Sequence, residues 1–569
     1  MVLGVHGGRA LVVALLILLL QGAMQDAGAW WGQSVNLPLE EVDTSIGLQT
    51  GKTIRVRAWG NFQQALLDAE PGDVIELAPG ATYMGPFILP FKSGSQWITI
   101  RSGDASNALP APGTRVSPEY APAMAKLVSR QGVVIATAPG AHHYRFIGIE
   151  VRPYVDESLW RGLQQFFYEA LEREMPVPAG ASLTNLVMLS DASMPEAQIP
   201  HHLIFDRCYL HGDPRYGTRR GIAMNSAYTA VVDSWLSDFK AVGVDSQAIA
   251  GWSGPGPYKI VNNYLEGAGE NIMFGGGDPG IKNMVPSDIE IRRNHFSKPL
   301  AWKIDEAGYE GRPWAVKNLL ELKNARRVLI DGNLFEYNWP HAQNGYAILF
   351  TVRNQDGTAP WSVVEDITFT NNIIRHVAAG VNILGQDDIH DSQKTKNILI
   401  RNNLFEDMGG RWGRGHLFQL LDGTENILIE HNTVFNISHM LTSEGRPHKG
   451  AVIYANQFLF DQARSPDEGA IGTRYALTRT LKQALVKDNV ISMTPLAAYP
   501  GRQNLSKIIS DQLPPSLNNS LDAVTADESS LDDQNALPGI NAVTLCAAMA
   551  ISEQPDFCLH NDAHNSSGQ

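Results

Sequence analysis

The sequence predicts an all-β solenoid, and three observations carry that expectation. Eight segments share the pattern hydrophobic-x-hydrophobic-x-x-Asn-x-hydrophobic or a close variant. The clearest are Ile289 to Phe296 with Asn294, Val328 to Phe335 with Asn333, and Ile367 to Ile374 with Asn372. Ile398 to Phe405 with Asn403 and Ile427 to Val434 with Asn432 follow, and Tyr258 to Leu265 carries Asn263. Thr229 to Leu236 and Leu203 to Leu210 have Ser234 and Cys208 in the Asn place. The second observation is spacing: subtracting neighbouring positions gives steps of 26, 29, 31, 39, 39, 31 and 29 residues. Returns at this interval mark one supersecondary unit stacked on the next. The third is composition: β-branched and aromatic residues alternate with polar ones inside each segment, and 52 glycines suit a turn-rich chain.

Taken in order, residues 1–29 read as a secretory signal. Arg9 supplies the positive start, Ala10 to Leu20 the apolar stretch, and Ala27 to Ala29 small residues for cleavage. The apolar run is shorter than a membrane span, so the mature chain is expected to be exported and not inserted in a membrane. Residues 30–54 form an irregular leader. Asn61 with Gln64 makes a capping box, and Phe62, Leu66 and Leu67 place an apolar stripe on one helix face. Asp73 to Leu77, Phe87 to Leu89 and Trp97 to Arg101 then alternate like strands.

This cap followed by 69–90 (AEPGDVIELAPGATYMGPFILP), with the Asn repeats behind it, resembles the right-handed parallel β-helix proteins of the pectate-lyase-like superfamily. The resemblance spans about residues 55–495. It implies a right-handed parallel β-helix with an N-terminal capping helix, and it implies no single activity, because lyases, hydrolases, epimerases and adhesins share the fold. The leucine-rich repeat shares Ile398-x-Ile400-x-x-Asn403-x-Phe405, but its upstream Leu-x-x-Leu half is missing. The repeated asparagines are read as structural, at a turn, with stacked amides forming a ladder.

The β-helix domain is expected over 55–496. Two insertions interrupt it: a helical one over 154–200, with Leu159, Trp160, Leu163, Phe166, Phe167 and Leu171 at helical spacing, and a second over 461–484. Residues 497–569, rich in Ser, Asn, Asp and Ala, are expected to be a loosely ordered tail. Cys546 and Cys558 could pair there, whereas Cys208 sits in a repeat as a small core residue. Asn436, Asn504, Asn518 and Asn565 head N-x-Ser sequons, which matter only in a glycosylating host.

The formal charge is −14, and removing residues 1–29 takes one Arg and one Asp and leaves it unchanged. An acidic surface excludes nucleic acid as the expected partner. It disfavours a polyanion too, unless a bound cation or local basic patch offsets the charge. A monomer acting on a polysaccharide is the expectation.

A packed β-helix leaves chemistry to outward side chains and loops. The strands preceding each Asn segment are therefore the place to look: 246–252, 270–276, 317–325, 346–355, 380–386, 416–422 and 450–456. With Leu320 and Leu322 inward, Lys317, Glu321 and Lys323 face outward together, and Arg353 joins them from the next coil. Superfamily lyases use Lys or Arg as base, and the resemblance implies that role here: one cation neutralises a uronate carboxylate while another, with depressed pKa, removes the α-proton. Asp278, Asp356 and Asp387 each lie 16 residues before their repeat's Asn, and with Asp388 and Asp391 could offer oxygens to Ca²⁺. Trp339, His341, Trp361 and Trp412, beside Pro or Gly, are candidate sugar platforms. Two alternatives stand beside the lyase. One is a non-catalytic carbohydrate-binding protein, whose charged row would be a salt-bridge ladder. The other is a glycoside hydrolase pairing Asp387 or Asp388 with Asp356 or Glu321.

Overall fold

The computed structural model describes residues 35–103, 108–155, 183–191, 193–460, 476, 479–481, 484–492, 540 and 542–549. Three parallel sheets of 14, 13 and 11 strands run the length of the described chain, and each coil visits them in turn. This is the expected right-handed parallel β-helix. One coil shows the order: Ser287–Arg292 in the 14-stranded sheet, a turn at Asn294, His295–Ser297 in the 13-stranded sheet, and Leu320–Leu322 in the 11-stranded sheet. We refer to these as the first, second and third sheets. The N-terminal end is closed by the helix Phe62–Asp68, whose N-cap Asn61 accepts a hydrogen bond from the Gln64 N–H at 2.9 Å. Phe62 and Leu66 are buried against the first coils.

The inside is a continuous stack of like on like. Ile260, Ile291, Ile330, Phe369, Ile400 and Ile429 follow one another in register along the first sheet, all buried. Register is set at the turn between first and second sheets. The Oδ1 atoms of Asn263, Asn294, Asn333, Asn372, Asn403, Asn432, Asn456 and Asn489 each accept from the backbone N–H of the matching residue one coil earlier, at 2.9–3.0 Å. Each Nδ2 donates backwards to a carbonyl of the preceding coil, as Asn333 does to Ile291. Between asparagines it also donates forward, as Asn333 does to Asn372 Oδ1. Asn456 and Asn489 extend the row beyond the six asparagines read from the repeats. Ser234 continues it towards the N-terminus by accepting from the Cys208 N–H.

The turn geometry differs from the expectation in one respect. The left-handed backbone falls on the residue before each Asn, with Arg293 at φ 52°, Gly332 at 66°, Asn371 at 55°, Asn402 at 54° and His431 at 52°. The preceding residue thus makes the corner, and the Asn side chain is freed to point inward and bond along the axis.

Three other expectations change. Asn185–Met188, inside the stretch read as a helical insertion over 154–200, is a third-sheet strand pairing with Ile135–Thr137 and Arg220–Ala223. Lys449–Tyr454 belongs to the first sheet, and the third-sheet strand of that coil is His439–Glu444, so 450–456 is not on the face expected to carry chemistry. Residues 35–52 carry no helix or strand but are held to the solenoid: Asn36 donates to Asp366, the Leu39 N–H to Asp288, and Val42 is buried against Ile204, Ala230 and Val261. Within the tail, Ala542–Ala548 is helical, and Ile540, Leu545 and Met549 cover an apolar outward row of the second sheet, Leu334, Ile373, Leu404 and Phe435. The expected signal (1–29), the helix over 157–173, most of 461–484 and Cys558 lie outside the described residues. Among the described residues no helix is long and apolar enough to cross a membrane.

Replacing Asn333 by Ala removes the acceptor of Asn294 N and Nδ2 and the donor to the Ile291 carbonyl, all buried. Orphaned buried groups cost about 1–3 kcal/mol each, so Asn333→Ala is expected to lower stability by at least about 3 kcal/mol. The exposed-side control Gln393→Ala should change it by less than about 0.5 kcal/mol. Urea or thermal unfolding of the two variants checks this.

Candidate functional site

Outward positions of the third sheet form columns because the coils stay in register. Glu321, Leu349, Asn382, Gln419 and Thr442 are successive partners in one column. Tyr346, Ala379, His416 and His439 form the next. Rungs ~4.8 Å apart turn these positions, remote in sequence, into a wall. The loop 340–345, between the second-sheet strand Leu334–Asn338 and the third-sheet strand Tyr346–Thr351, stands over this wall.

Wall and loop enclose a cleft of about 430 Å³ lined by Glu321, Lys323, Thr351, Arg353, Asn382 and Gln419, with Gln343, Asn344 and Tyr346 at the loop side. A smaller depression of about 160 Å³ continues from it along the solenoid, sharing Asn344, Tyr346 and Gln419 and adding Arg414, His416 and Glu444. The result is one groove across five coils, lined mainly by amide, hydroxyl and charged side chains with Leu349 and Ala379 among them.

Three of the four residues expected to act together meet in this cleft. Lys323 Nζ lies 3.6 Å from the buried carboxylate of Glu321, to which Thr351 Oγ1 also donates at 3.3 Å. The other Glu321 oxygen, Oε2, has no partner. Arg353 Nη1 bonds Asp387 Oδ1 at 2.7 Å and also Asp388. Nε and Nη2 of the guanidinium remain as donors. Burial pulls the Arg353 guanidinium down, but its bonds to Asp388 and Asp387 outweigh that and hold it above its ordinary value.

Lys317 departs from expectation. It does not line the cleft but pairs with Asp245 at 2.7 Å and with Glu270 at 3.4 Å, in a buried row continued by Gln247 and Arg220. Burial lowers its pKa, yet Glu270 and Asp245 raise it more, so it is held as a cation and not as a depressed base. The charges that depart most strongly are residues the sequence reading passed over. Burial, helped by the nearby Glu321 charge, pushes the Glu270 carboxyl up. Burial pushes the Lys298 ammonium down, where its Nζ donates to the Ala268 and Gly269 carbonyls and to Asn271 Oδ1.

The expected acidic set does not converge. Asp278 Oδ2 accepts from the Asp356 and Thr358 N–H groups and from Thr358 Oγ1, which ties two loops together. Asp387 is spent on Arg353 and on the N–H groups of Asn354 and Ile389. Burial raises its pKa, but those two N–H groups and Arg353 lower it further, so it sits below the ordinary carboxylate range. That makes it a poor proton donor for paired-carboxylate hydrolysis. Among the described residues, the one cluster of three whose metal-ligand atoms approach within 4.8 Å is made of histidines, and Asp278, Asp356 and Asp387 do not form such a group.

Two of the aromatic candidates are also corrected. Trp339 is 4% exposed, packed with Trp302, Trp314 and Val316, and Trp412 is 1% exposed beneath Arg411 with its indole N–H on Asp407. Neither can stack on a sugar. Trp361 is half-buried and spends its N–H on the Met284 carbonyl. His341 is exposed on the loop over the cleft but accepts from the Val316 N–H. The polar lining was missed: Asn382 and Gln419 stand alone in apolar strands (Val381-Asn-Ile383, Phe418-Gln-Leu420). That interruption was the available signal.

No family model matches the sequence, and no curated protein matches it. Similar solved structures include an alginate lyase from Paenibacillus sp. str. FPU-7, at 16% identity and TM-score 0.35, covering 64% of this chain and 97% of that one. The PL6 family alginate lyase AlyGC is 14% identical with TM-score 0.45, over 77% of this chain and 51% of that one. This chain thus spans about half the length of AlyGC. The catalytic unit of a GH87 α-1,3-glucanase from Streptomyces thermodiastaticus is 13% identical with TM-score 0.37, over 74% and 65%.

The Arg353–Asp387 pair gives a pH-dependent stability prediction. The Asp387 pKa is depressed in the folded chain, so the pair's contribution is complete above the ordinary carboxylate range and lost as pH falls through the folded value. Arg353→Ala is expected to cost about 1 kcal/mol at pH 7, a partly exposed pair being weak, and less at pH 2. Thermal midpoints of both proteins at the two pH values measure the difference.

Proposed function

We propose that the third-sheet groove is the active site of an exported, monomeric enzyme that cleaves a uronate-containing polysaccharide by β-elimination. The observation that carries this reading is the convergence of Lys323, Arg353 and Glu321 in one polar cleft, flanked by Asn344, Asn382 and Gln419. A groove of amides across successive coils suits a linear chain of hydroxyl-rich rings. Arg353, with two donors unspent, is the group to receive a uronate carboxylate, since a guanidinium fork matches it bidentately. Neutralising that carboxylate acidifies the neighbouring carbon, C5.

Lys323, as the neutral amine left after passing its own proton to the neighbouring Glu321 carboxylate, whose Oε2 has no other partner, is then the residue to take the C5 proton. The electron pair left behind forms the C4–C5 double bond, and the C4–O bond to the preceding sugar breaks. The departing oxygen is protonated, and Tyr346 at the loop side of the cleft is the proposed donor. Burial, with Glu444 adding and Thr442 and Arg414 opposing, pushes the Tyr346 phenol up to about 12, which keeps its proton on at neutral pH. Glu321, fixed by Thr351, would hold the Lys323 side chain in the cleft. Calcium at the acidic loops remains a proposal that the assay below addresses with a chelator.

Incubation with a panel of uronic-acid polymers, with and without chelator, is expected to give rising ultraviolet absorbance from the unsaturated product. Lys323→Ala should lower kcat by about 10²- to 10⁴-fold, the usual worth of a positioned base. New reducing ends without absorbance would replace elimination by hydrolysis, and neither signal with retained binding would leave a carbohydrate-binding protein.

A further inference from the structure

We propose that His142, His143 and His201, with His202 stacked against them, form a binding site for a divalent first-row transition ion on the first sheet, away from the groove. The two His-His pairs open adjacent strands, His142–Ile147 and His201–Asp206, with His201 in register with His142. Within each pair the second histidine takes left-handed backbone, His143 at φ 59° and His202 at φ 54°. That turn swings two successive side chains to the same side of the sheet instead of opposite sides. Their rings stand nearly perpendicular, at 82° and 78°, and their Nδ1 atoms face each other at 2.7 Å in both pairs.

Stacking then doubles the arrangement. The His142 and His201 rings lie 4.7 Å apart at 6°, and those of His143 and His202 lie 4.4 Å apart at 8°. The nitrogens of His142, His143 and His201 all fall within 4.8 Å of one another. Three atoms so placed fit around a point no more than about 2.8 Å from each, so a ring shift of about 0.7 Å brings all three to the ~2.1 Å of a metal–imidazole bond. A 2.7 Å separation of two donors corresponds to an angle near 80° at such an ion, closer to tetragonal than tetrahedral.

The surroundings select the type of ion. Phe91, Trp97 and Tyr228 wall the cluster, at 5.5 Å from His142, 5.2 Å from His143 and 4.6 Å from His202. Neutral imidazole in an aromatic setting favours copper, nickel or zinc over the hard, oxygen-seeking calcium and magnesium. The ion would join two neighbouring first-sheet strands, His142–Ile147 and His201–Asp206, whose starts are 59 residues apart in the chain (201 − 142). The competing arrangement is a hydrogen-bonded stack, in which one Nδ1–H of each pair donates to the other ring and no ion is held.

The full chain, stripped with chelator, is titrated with Zn²⁺ and separately with Cu²⁺ by calorimetry, alongside His142→Gln/His201→Gln and an exposed control, His341→Gln. Expected are one equivalent bound by the parent and control, at least about tenfold weaker binding by the double variant, and no competition by excess Ca²⁺. The Cu²⁺ electron paramagnetic resonance spectrum should carry coupling to three or more nitrogens. Circular dichroism and the metal-free melting temperature show whether the double variant is folded. If it is not, His143→Asn, which tolerates the left-handed position, must lose one coupled nitrogen. Binding unchanged in the double variant, a copper spectrum of oxygen ligands, or no binding by the parent would overturn the site and leave the hydrogen-bonded stack.

Discussion

The amide row at the corner between the first and second sheets is the constraint on which the rest of this molecule rests. A parallel sheet without it fixes the distance between coils but only weakly fixes how far one coil slides along the next, because an apolar stack of Ile on Ile tolerates displacement. An amide that accepts from and donates back to the preceding coil, while donating forward to the next, does not. From Asn263 to Asn456, each asparagine joins three successive coils. The steps between neighbours range from 24 to 39 residues along the row (456 − 432 to 333 − 294), yet the corner is the same each time. All variation in coil length is pushed into the loops elsewhere.

That division explains where chemistry can accumulate. The long step from Asn333 to Asn372 includes loop 340–345, which rises over the third sheet at the coils bearing Glu321, Lys323 and Arg353. Register makes the floor of the groove a column of single side chains, and the loops provide its side. The neighbouring charges, buried Glu270 with the half-buried Lys317 and Asp245, pair with one another and do not line the cleft. The groove is wet and charged while the cylinder behind it is dry, and the two are separated by one strand thickness.

The corner residues show how far reading the chain could go. Six asparagines announced themselves because Ile-x-Ile-x-x-Asn repeats are nearly identical. Asn456 and Asn489 obey the same rule in Ile453-Tyr-Ala-Asn456 and Val486-Lys-Asp-Asn489, but their alternation is blurred by Ala and Lys, and they passed unnoticed. Glu321, Lys323 and Arg353 were legible from alternation alone. Lys317 was not, because the strand is regular only over Leu320–Leu322, and the backbone before it no longer obeys a period of two. Trp339 and Trp412 were read as surface residues from a neighbouring Pro or Gly. Such neighbours report a turn in the backbone and say nothing of whether the side chain points out of it or under it.

Sequence by itself determined the cylinder: a periodic apolar pattern has one way to bury itself completely, and a repeated amide has one way to be satisfied inside it. Tertiary structure alone decided which outward residues share a cavity, which acids are spent on arginine or on loop N–H groups, and which histidines meet. Those outcomes depend on loop paths and on the rotation of single residues into left-handed backbone, as at His143 and His202. Neither leaves a period in the chain. A repeat is a one-dimensional signal and survives in one dimension, whereas a site is an intersection of several coils and exists only after they are stacked.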